Sequence, residues 1–333
     1  MRAGCFCPAP ESPLILSSVG IVSSLSQCPD VPLPVDCRPA RPDELHAALR
    51  IVLGSNGVPA DSQEVLDFLT LAEQRGLGIG DMWVAQRDLQ MIWALLAMPT
   101  PGRTVLLFLP NHFSKDDAMA ALVDAVCDHF GSRDVRLAQL LLDPRDIAGQ
   151  RLFASHGFRR MAELIYMHAQ VRAQAMPPAL PPGFAWESYS SRTHRLFADT
   201  IVQTYRDSLD CPGLNGLREI DDVLAGHKGA GQFNPRYWFV LTERGIGRGA
   251  LLLSKIAGID AAELVYLGLV PEARRRGLGE VLMHQGIAST SEMGATRLSM
   301  AVDSANVPAM KLYCRFGAAR AGSKIAMMRL LSR

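Results

Sequence analysis

The chain has no C-x-x-C pair and no cysteine–histidine spacing of the kind that binds zinc; its cysteines stand singly at positions 5, 7, 28, 37, 127, 211 and 314. Such scattering speaks against a disulfide-built scaffold and against a structural metal centre, so no metal is expected and a reduced cytoplasm suits the free thiols. Cys5 and Cys7 form a lone C-x-C near the terminus with no second pair, which reads as unstructured chain. Charge of one sign is missing too. The 34 basic and 33 acidic residues leave a net charge of +1, with no concentrated basic face, so nucleic acid is not expected as a partner. No apolar run reaches the ~18 to 20 residues that cross a bilayer, so no membrane partner is expected. The stretch from Leu14 to Leu25 is apolar but short, has only Arg2 as a basic flank, and runs into Gln27 and Cys28, a poor lipoprotein cleavage site. Residues 1–34 therefore read as a disordered extension. General disorder is excluded by a 48% hydrophobic composition, and 333 residues suffice for two cores.

What is present divides in two. The segment AMPPALPPG, Ala175 to Gly183, has four prolines, which can continue neither a helix nor a central strand, and reads as a stiff linker. It sets modules at 35–172 and 184–333, joined by residues 173–183. A repeat relates them: Asp303, Asn306, Ala309, Leu312, Tyr313 and Gly317, shifted back by 160, fall on Asp143, Asp146, Gly149, Leu152, Phe153 and Gly157. Periodicity and breakers in the second module predict strands at 184–187, 237–242, 249–255, 262–269, 297–302 and 325–330. They predict helices at 192–205, 219–227, 279–292 and 305–316. Mixed order of this kind predicts an α/β fold with helices on both faces of a sheet.

The run LVYLGLVPEARRRGLG, Leu264 to Gly279, delivers a strand into a basic, glycine-punctuated turn that opens a helix. Unpaired N–H groups and the positive end of the helix dipole suit a diphosphate there. Gly277 and Gly279 let the main chain approach phosphate oxygens, and Arg274, Arg275 and Arg276 add attraction. Such a helix start is by itself more often a solvated surface than a site. With the segment from Asn306 to Gly317, it resembles the GNAT acyltransferase superfamily: Arg274, Gly277 and Gly279 match R-x-x-G-x-G, and the later segment matches N-x-x-A-x-x-L-Y-x-x-x-G. The tandem layout, degenerate half first, is similar to that of mycothiol synthases. The resemblance covers about 184–331.

It implies two tandem GNAT-like modules, each a mixed sheet flanked by helices, and an acetyl-CoA-dependent N-acetyltransferase acting on a small-molecule or peptide amine. The alternative is a non-catalytic CoA-binding or protein-interaction module. Implied cofactor contacts are Leu269, Val270, Arg274 to Arg276, Gly277, Leu278, Gly279 and Asn306, with Tyr313 beside the sulfur. Asn306 reads equally as a helix-start residue, and Tyr313 as packing, since Phe153 fills its counterpart. Period-two geometry puts Glu263, Val265, Leu267 and Leu269 on one face; Glu263 is the candidate base or else a solvent-facing acid. In the loop from Asp207 to Arg218, Asp207 and Asp210 suit a cationic amine and Arg218 an acidic group, though such residues also stabilise ordinary turns. Cys211 has no histidine near it in sequence, so a covalent route is the weaker mechanism. The 35–172 module has no glycine and two carboxylates in Ser114 to Met119, opposite the diphosphate turn, and should repel the cofactor. Nothing in the sequence fixes the oligomeric state.

Overall fold

A computed structural model describes residues 34–54, 58–74, 81–110 and 117–331. The expected N-terminal extension lies outside the described residues apart from Pro34, as do residues 114–116 of the repeat's counterpart to the diphosphate turn. The first half runs β1 (Asp36–Pro39), α1 (Leu45–Leu53), α2 (Ser62–Gln74), β2 (Met82–Arg87), β3 (Gln90–Thr100), β4 (Thr104–Phe108), α3 (Asp117–Gly131), β5 (Leu137–Leu142), α4 (Ile147–Ser155) and β6 (Arg159–Gln170). The second half repeats this order from its first element to its last. It comprises β7 (Phe184–Ser188), α5 (His194–Thr204), α6 (Ile220–Gly229), β8 (Trp238–Glu243), β9 (Ile246–Lys255), β10 (Ala261–Leu269), α7 (Leu278–Glu292), β11 (Arg297–Asp303), α8 (Val307–Arg315) and β12 (Ala319–Leu330).

The repeat is realised atom for atom at its helix starts. The Asp146 carboxylate accepts from the Gly149 N–H at 2.9 Å to cap α4, and the Asn306 side chain accepts from the Ala309 N–H at 3.2 Å to cap α8. Both helices end on a left-handed glycine, Gly157 (φ +83°) and Gly317 (φ +76°). The short polar cap and the glycine stop, rather than helix propensity, define each of these two-turn segments.

All strands join one sheet in the order β1-β2-β3-β4-β5-β12-β6-β11-β10-β9-β8-β7. That order reads alike from both ends once each strand is exchanged for its repeat partner. The halves meet by trading their last strands: β12 lies between β5 and β6, and β6 between β12 and β11, all antiparallel. Ile165, Met167 and Ala169 of β6 are buried in the second half's core, while Ile325 and Met327 of β12 are buried in the first half's. Nothing in the sequence announces this exchange. It also starts the last strand at Ile325, whereas β12 begins at Ala319; Ala319 and Arg320 pair with His168 and Met167 on a stretch that stays largely exposed. Without a buried face, that stretch has no apolar alternation to betray it.

Candidate active site

β10 and β11 pair in parallel from Ala261↔Arg297 to Leu264↔Met300 and then part, although the strands run on to Leu269 and Asp303. The cause is a bulge. Against β9, Leu264 faces Leu253 and Tyr266 faces Leu252, so Val265 is an extra residue that bends β10 away from β11. The bulge also resets the faces. Ala262, Leu264, Leu267 and Leu269 pack into the core beneath α7, whereas Val265 and Tyr266 pack toward α5. The shared face expected for Glu263, Val265, Leu267 and Leu269 therefore does not exist: Glu263 lies on the α5 side and the two leucines on the other.

Backbone alternation decides what lines the gap. The Val270 N–H donates to the Arg248 carbonyl of β9 at 3.0 Å, so it is engaged within the sheet and is not free for a ligand. The N–H groups of Leu269 and Leu267, on alternate residues, then point to the opposite edge of β10, into the gap. Across it, the Ser304 N–H donates to the Glu163 carbonyl of β6, which turns the Asp303 N–H inward.

Beyond Val270 a single turn of 3-10 helix, Pro271–Ala273, leads to the start of α7. Gly277 caps α7 at φ 76°, ψ −4°. A side-chain carbon there would meet nothing within 4 Å, so glycine is required for conformation alone. Leu278 starts the helix, and its side chain is buried. At Gly279 the reason is space, since a Cβ would sit 3.2 Å from Leu312 Cδ2. The one acid in the first turn, Glu280, is held by Arg315 at 3.0 Å, which blunts its repulsion of an anion.

The three arginines part company. Arg274 is turned inward: its Nε donates to the Leu269 carbonyl at 3.1 Å, Nη1 to Asp207 at 3.0 Å, and Nη2 to Thr204 at 3.0 Å and Arg206 at 2.7 Å. It clamps the C-terminal end of α5 to the turn that opens α7, with all three of its nitrogens engaged. Arg276 is paired with Glu243 through both nitrogens, at 2.7 and 3.2 Å, and this pairing is the main reason the Glu243 carboxyl lies below its usual range. Arg275, exposed at φ 59°, makes no ion pair among the described residues and is the one left to meet an anion.

Tyr313 lies on α8, its ring packed in the core at 5% exposure. Burial raises its pKa, with the Asp210 carboxylate adding to the rise, so the phenol keeps its proton at neutral pH. The hydroxyl donates to no protein acceptor among the described residues, and it is not sealed from solvent. Asn306 is the helix cap, as its bland reading had it. Glu263 stands between Ser254 of β9 and Ser299 of β11; burial raises its carboxyl, and its charge adds to the rise in Tyr166.

The α5–α6 loop crosses the mouth of the gap. Asp210 Oδ1 accepts from the inward Asp303 N–H at 3.2 Å, and the Cys211 N–H donates to Asp303 Oδ2 at 3.1 Å. Asp210 keeps an exposed surface, but this oxygen is turned inward; the crowding around it, and next the Asp303 charge, raise its pKa. Cys211 sits at φ 44° with its thiol pushed up to about 12 by burial, which leaves almost no thiolate to act as a nucleophile. Asp207 meets Arg274 through its backbone, and its side chain has no ion-pair partner among the described residues. Arg218 lies farther along, its Nη2 on the Asp222 carbonyl at 2.9 Å. The role of Asp303 in seating this loop was missed, although the repeat had marked its position; so was the Arg274 clamp.

The first half shows no such opening among its described residues. β4 ends at Phe108, one residue past its last pair with β5, Leu107↔Leu140, and Phe153 is fully buried where Tyr313 stands in the second half.

The acetyltransferase (GNAT) family model matches residues 184–318. Among curated relatives, the mycothiol acetyltransferase of Actinosynnema mirum is 28% identical over 173 residues, 51% of this chain and 56% of its own length. That of Thermobifida fusca is 29% identical over 219 residues, 59% of this chain and 65% of its own length. The chain thus spans less than two thirds of the curated relatives it matches. A crystal structure of a GCN5-related N-acetyltransferase from Sphaerobacter thermophilus superposes with a TM-score of 0.59 at 16% identity, covering 90% of this chain and 96% of that one, which shows a common fold. With the repeat and the symmetric strand order, the protein is a mixed α/β fold of two tandem GNAT-like modules, and residues 184–318 are a domain of the GNAT acetyltransferase family.

Proposed function

We propose that the protein is an acetyl-CoA-dependent N-acetyltransferase that passes the acetyl group directly to a primary amine in a ternary complex. Residues 184–333 form the catalytic module, 173–183 the linker and 35–172 a degenerate module. The observation that carries this reading is the gap between β10 and β11, edged by the free N–H groups of Leu267 and Leu269 and leading to the left-handed Gly277 at the start of α7. An acyl thioester with a diphosphate handle fits that order of features. Backbone donors line the path, a helix start with Arg275 meets the anion, and Tyr313 stands at the side.

Bound there, acetyl-CoA supplies an activated acyl carbon. Leu267 and Leu269 donate N–H bonds to the carbonyl oxygen as negative charge builds on it. Glu263, at the root of the gap with its carboxyl raised by burial, accepts the proton of the acceptor ammonium through water. The freed amine forms the C–N bond as the C–S bond breaks, Tyr313 gives its proton to the departing sulfur, and the second proton shed by the nitrogen restores the phenol through water. The inert Cys211 thiol favours direct transfer over an acyl-cysteine intermediate. Arg274 serves this scheme by holding the acceptor loop to the cofactor turn, not by touching phosphate. The names of the curated relatives make a cysteinyl-sugar amine the first acceptor to try, and free cysteines at 37, 127, 211 and 314 suit a reduced cytoplasm.

The test is thiol release from acetyl-CoA across a panel of primary amines. Amine-dependent release abolished by Tyr313→Phe is expected. Acetyl-CoA binding with no release from any amine, unaltered by that substitution, would instead favour a non-catalytic CoA-binding module.

A further inference from the structure

The α5–α6 loop runs from the gap to a second cavity of about 550 Å³, where the β3–β4 turn of the first half meets the second half. Gly102, Arg103 and Arg136 line one side, and Leu217, Arg218 and Asp222 the other. Two of its three arginines are neutralised: Arg103 Nε meets both oxygens of Asp222 at 2.9 and 3.1 Å, and Arg136 Nε meets Asp134 at 3.3 Å. Arg218 differs. Its only acceptor among the described residues is the Asp222 carbonyl, no carboxylate pairs with it, and its Nε is shut from solvent without a partner. Glu219, the other acid of the cavity, is exposed and makes no ion pair with it.

A half-buried guanidinium with no carboxylate bonded to it is costly unless an anion meets it. Burial lowers its pKa for that reason, and the neighbouring His227, pushed down to about 4 by burial and then by Arg218, stays neutral and does not compete for the anion. Glycines make the room. A Cβ at either Gly102 or Gly226 would stand 2.8 Å from Arg218 Nη2, so the fork lies in a cradle that any side chain would fill. The loop that Asp303 seats at Asp210 and Cys211 is the one that lines the cavity at Leu217 and Arg218. Tyr205 lies within the field of both Arg218 and Asp210, and Tyr313 within that of Asp210.

We propose that the acceptor is an amine carrying an anionic oxygen group, its ammonium end met by Asp210 at the mouth of the gap and its anionic end by Arg218 in this cavity. The inference rests on the acyl-transfer reading above and adds the acceptor's charge pattern to it. A carboxylate and a phosphate share the required chemistry.

The probes are straight-chain ω-amino acids, aminoalkyl phosphonates and plain alkylamines of matched length, used as acceptors with acetyl-CoA. Wild-type protein is expected to favour an anionic series over the alkylamines by about 10- to 100-fold in kcat/KM, the worth of one charge-assisted contact. The better of the two anionic series identifies the group. Arg218→Gln should bring the ratio toward unity. Gly226→Ala keeps the charge and the helix but pushes the fork aside, and should lower the ratio in part; it answers the objection that the first variant merely loosens the loop. Equal turnover of charged and plain amines by wild type, or a ratio untouched by Arg218→Gln, overturns the proposal. Should no amine be acetylated, calorimetric binding of the same probes to CoA-loaded protein decides separately. A preference for anionic probes that Arg218→Gln removes would keep this inference while sinking the transferase reading, and no preference would sink the inference.

Discussion

Replacing Tyr313 by Phe separates chemistry from packing better than any other single change. The hydroxyl makes no protein hydrogen bond among the described residues, so its removal leaves no partner unsatisfied. The repeat has already tried the substitution, since Phe153 occupies the equivalent turn of α4 at 0% exposure. The cost in stability should thus stay below about 1 kcal/mol, a drop in Tm of less than about 3 °C for a chain of this size. The catalytic cost is of another order. A positioned acid contributes about 100- to 10,000-fold, so kcat should fall by that factor, about 2.7 to 5.4 kcal/mol at 1.36 kcal/mol per decade. The assay is thiol release at saturating acetyl-CoA, with KM for acetyl-CoA and thermal melting measured on the same preparation. A kcat within about threefold of wild type would refute the assignment, and so would a loss that tracks a fall in Tm or a matching rise in KM, because either would make Tyr313 a packing residue.

Burial lifts the Glu263 carboxyl above its ordinary 4.5, so kcat/KM should rise with pH through a midpoint above that value; Glu263→Gln should flatten this limb and slow the reaction at least about 100-fold, as pH–rate profiles would record. Gly277→Val places a β-branched side chain at φ 76°, where a Cβ meets open space but the backbone is strained by about 1 to 3 kcal/mol; calorimetry should show acetyl-CoA binding weakened at least about fivefold, more than Gly277→Asn weakens it. Arg274→Gln releases the carbonyls of Thr204, Arg206 and Asp207, and should raise the acceptor KM about tenfold while changing acetyl-CoA binding less, the reverse of a phosphate ligand. Residues 184–333 expressed alone lack β6, whose Ile165 and Met167 each bury about 1.5 to 3 kcal/mol of apolar side chain; circular dichroism should show no cooperative melt.

The parts of the fold that were legible in the sequence are those set by local chemistry. Asp146 and Asn306 announce helix starts three residues before Gly149 and Ala309, Gly157 and Gly317 announce the stops, and a constant offset lets one module interpret the other. The glycine turn at the start of α7 was legible for the same reason, because a left-handed cap needs Gly277 itself. The bulge at Val265 was not. The residues VYLGLV are apolar on both faces of β10, so no alternation exists for an extra residue to interrupt, and only the pairing with β9 reveals it. Arg274 misled because R-x-x-G-x-G specifies where the residue is and says nothing of its acceptors. Three of the four acceptors are carbonyls at or just past the end of α5, 67 to 70 residues away in sequence and close only once the sheet has formed.

The strand exchange gives the first half a physical part in the site of the second. In the second half, β10 parts from β11 beyond Leu264, and a strand that leaves its neighbour loses the ladder bonds that would hold it. β11 is then secured on its other edge alone, by seven register pairs with β6 from Arg297↔Gln170 to Asp303↔Leu164. β6 belongs to the first half, where β4 runs only one residue past its last pair with β5 and the Phe153 and Phe158 rings meet edge to face, 5.9 Å between centroids, in the core. A rigid half thus braces the free-edged strand of an open one. The brace reaches the site itself, since the Ser304 N–H bond to the Glu163 carbonyl of β6 is what turns the Asp303 N–H toward the gap and toward Asp210. Selection for that support does not need a glycine turn or a phenol in the first half. It needs only a well-packed sheet ending in β6, and that is what residues 35–172 have retained.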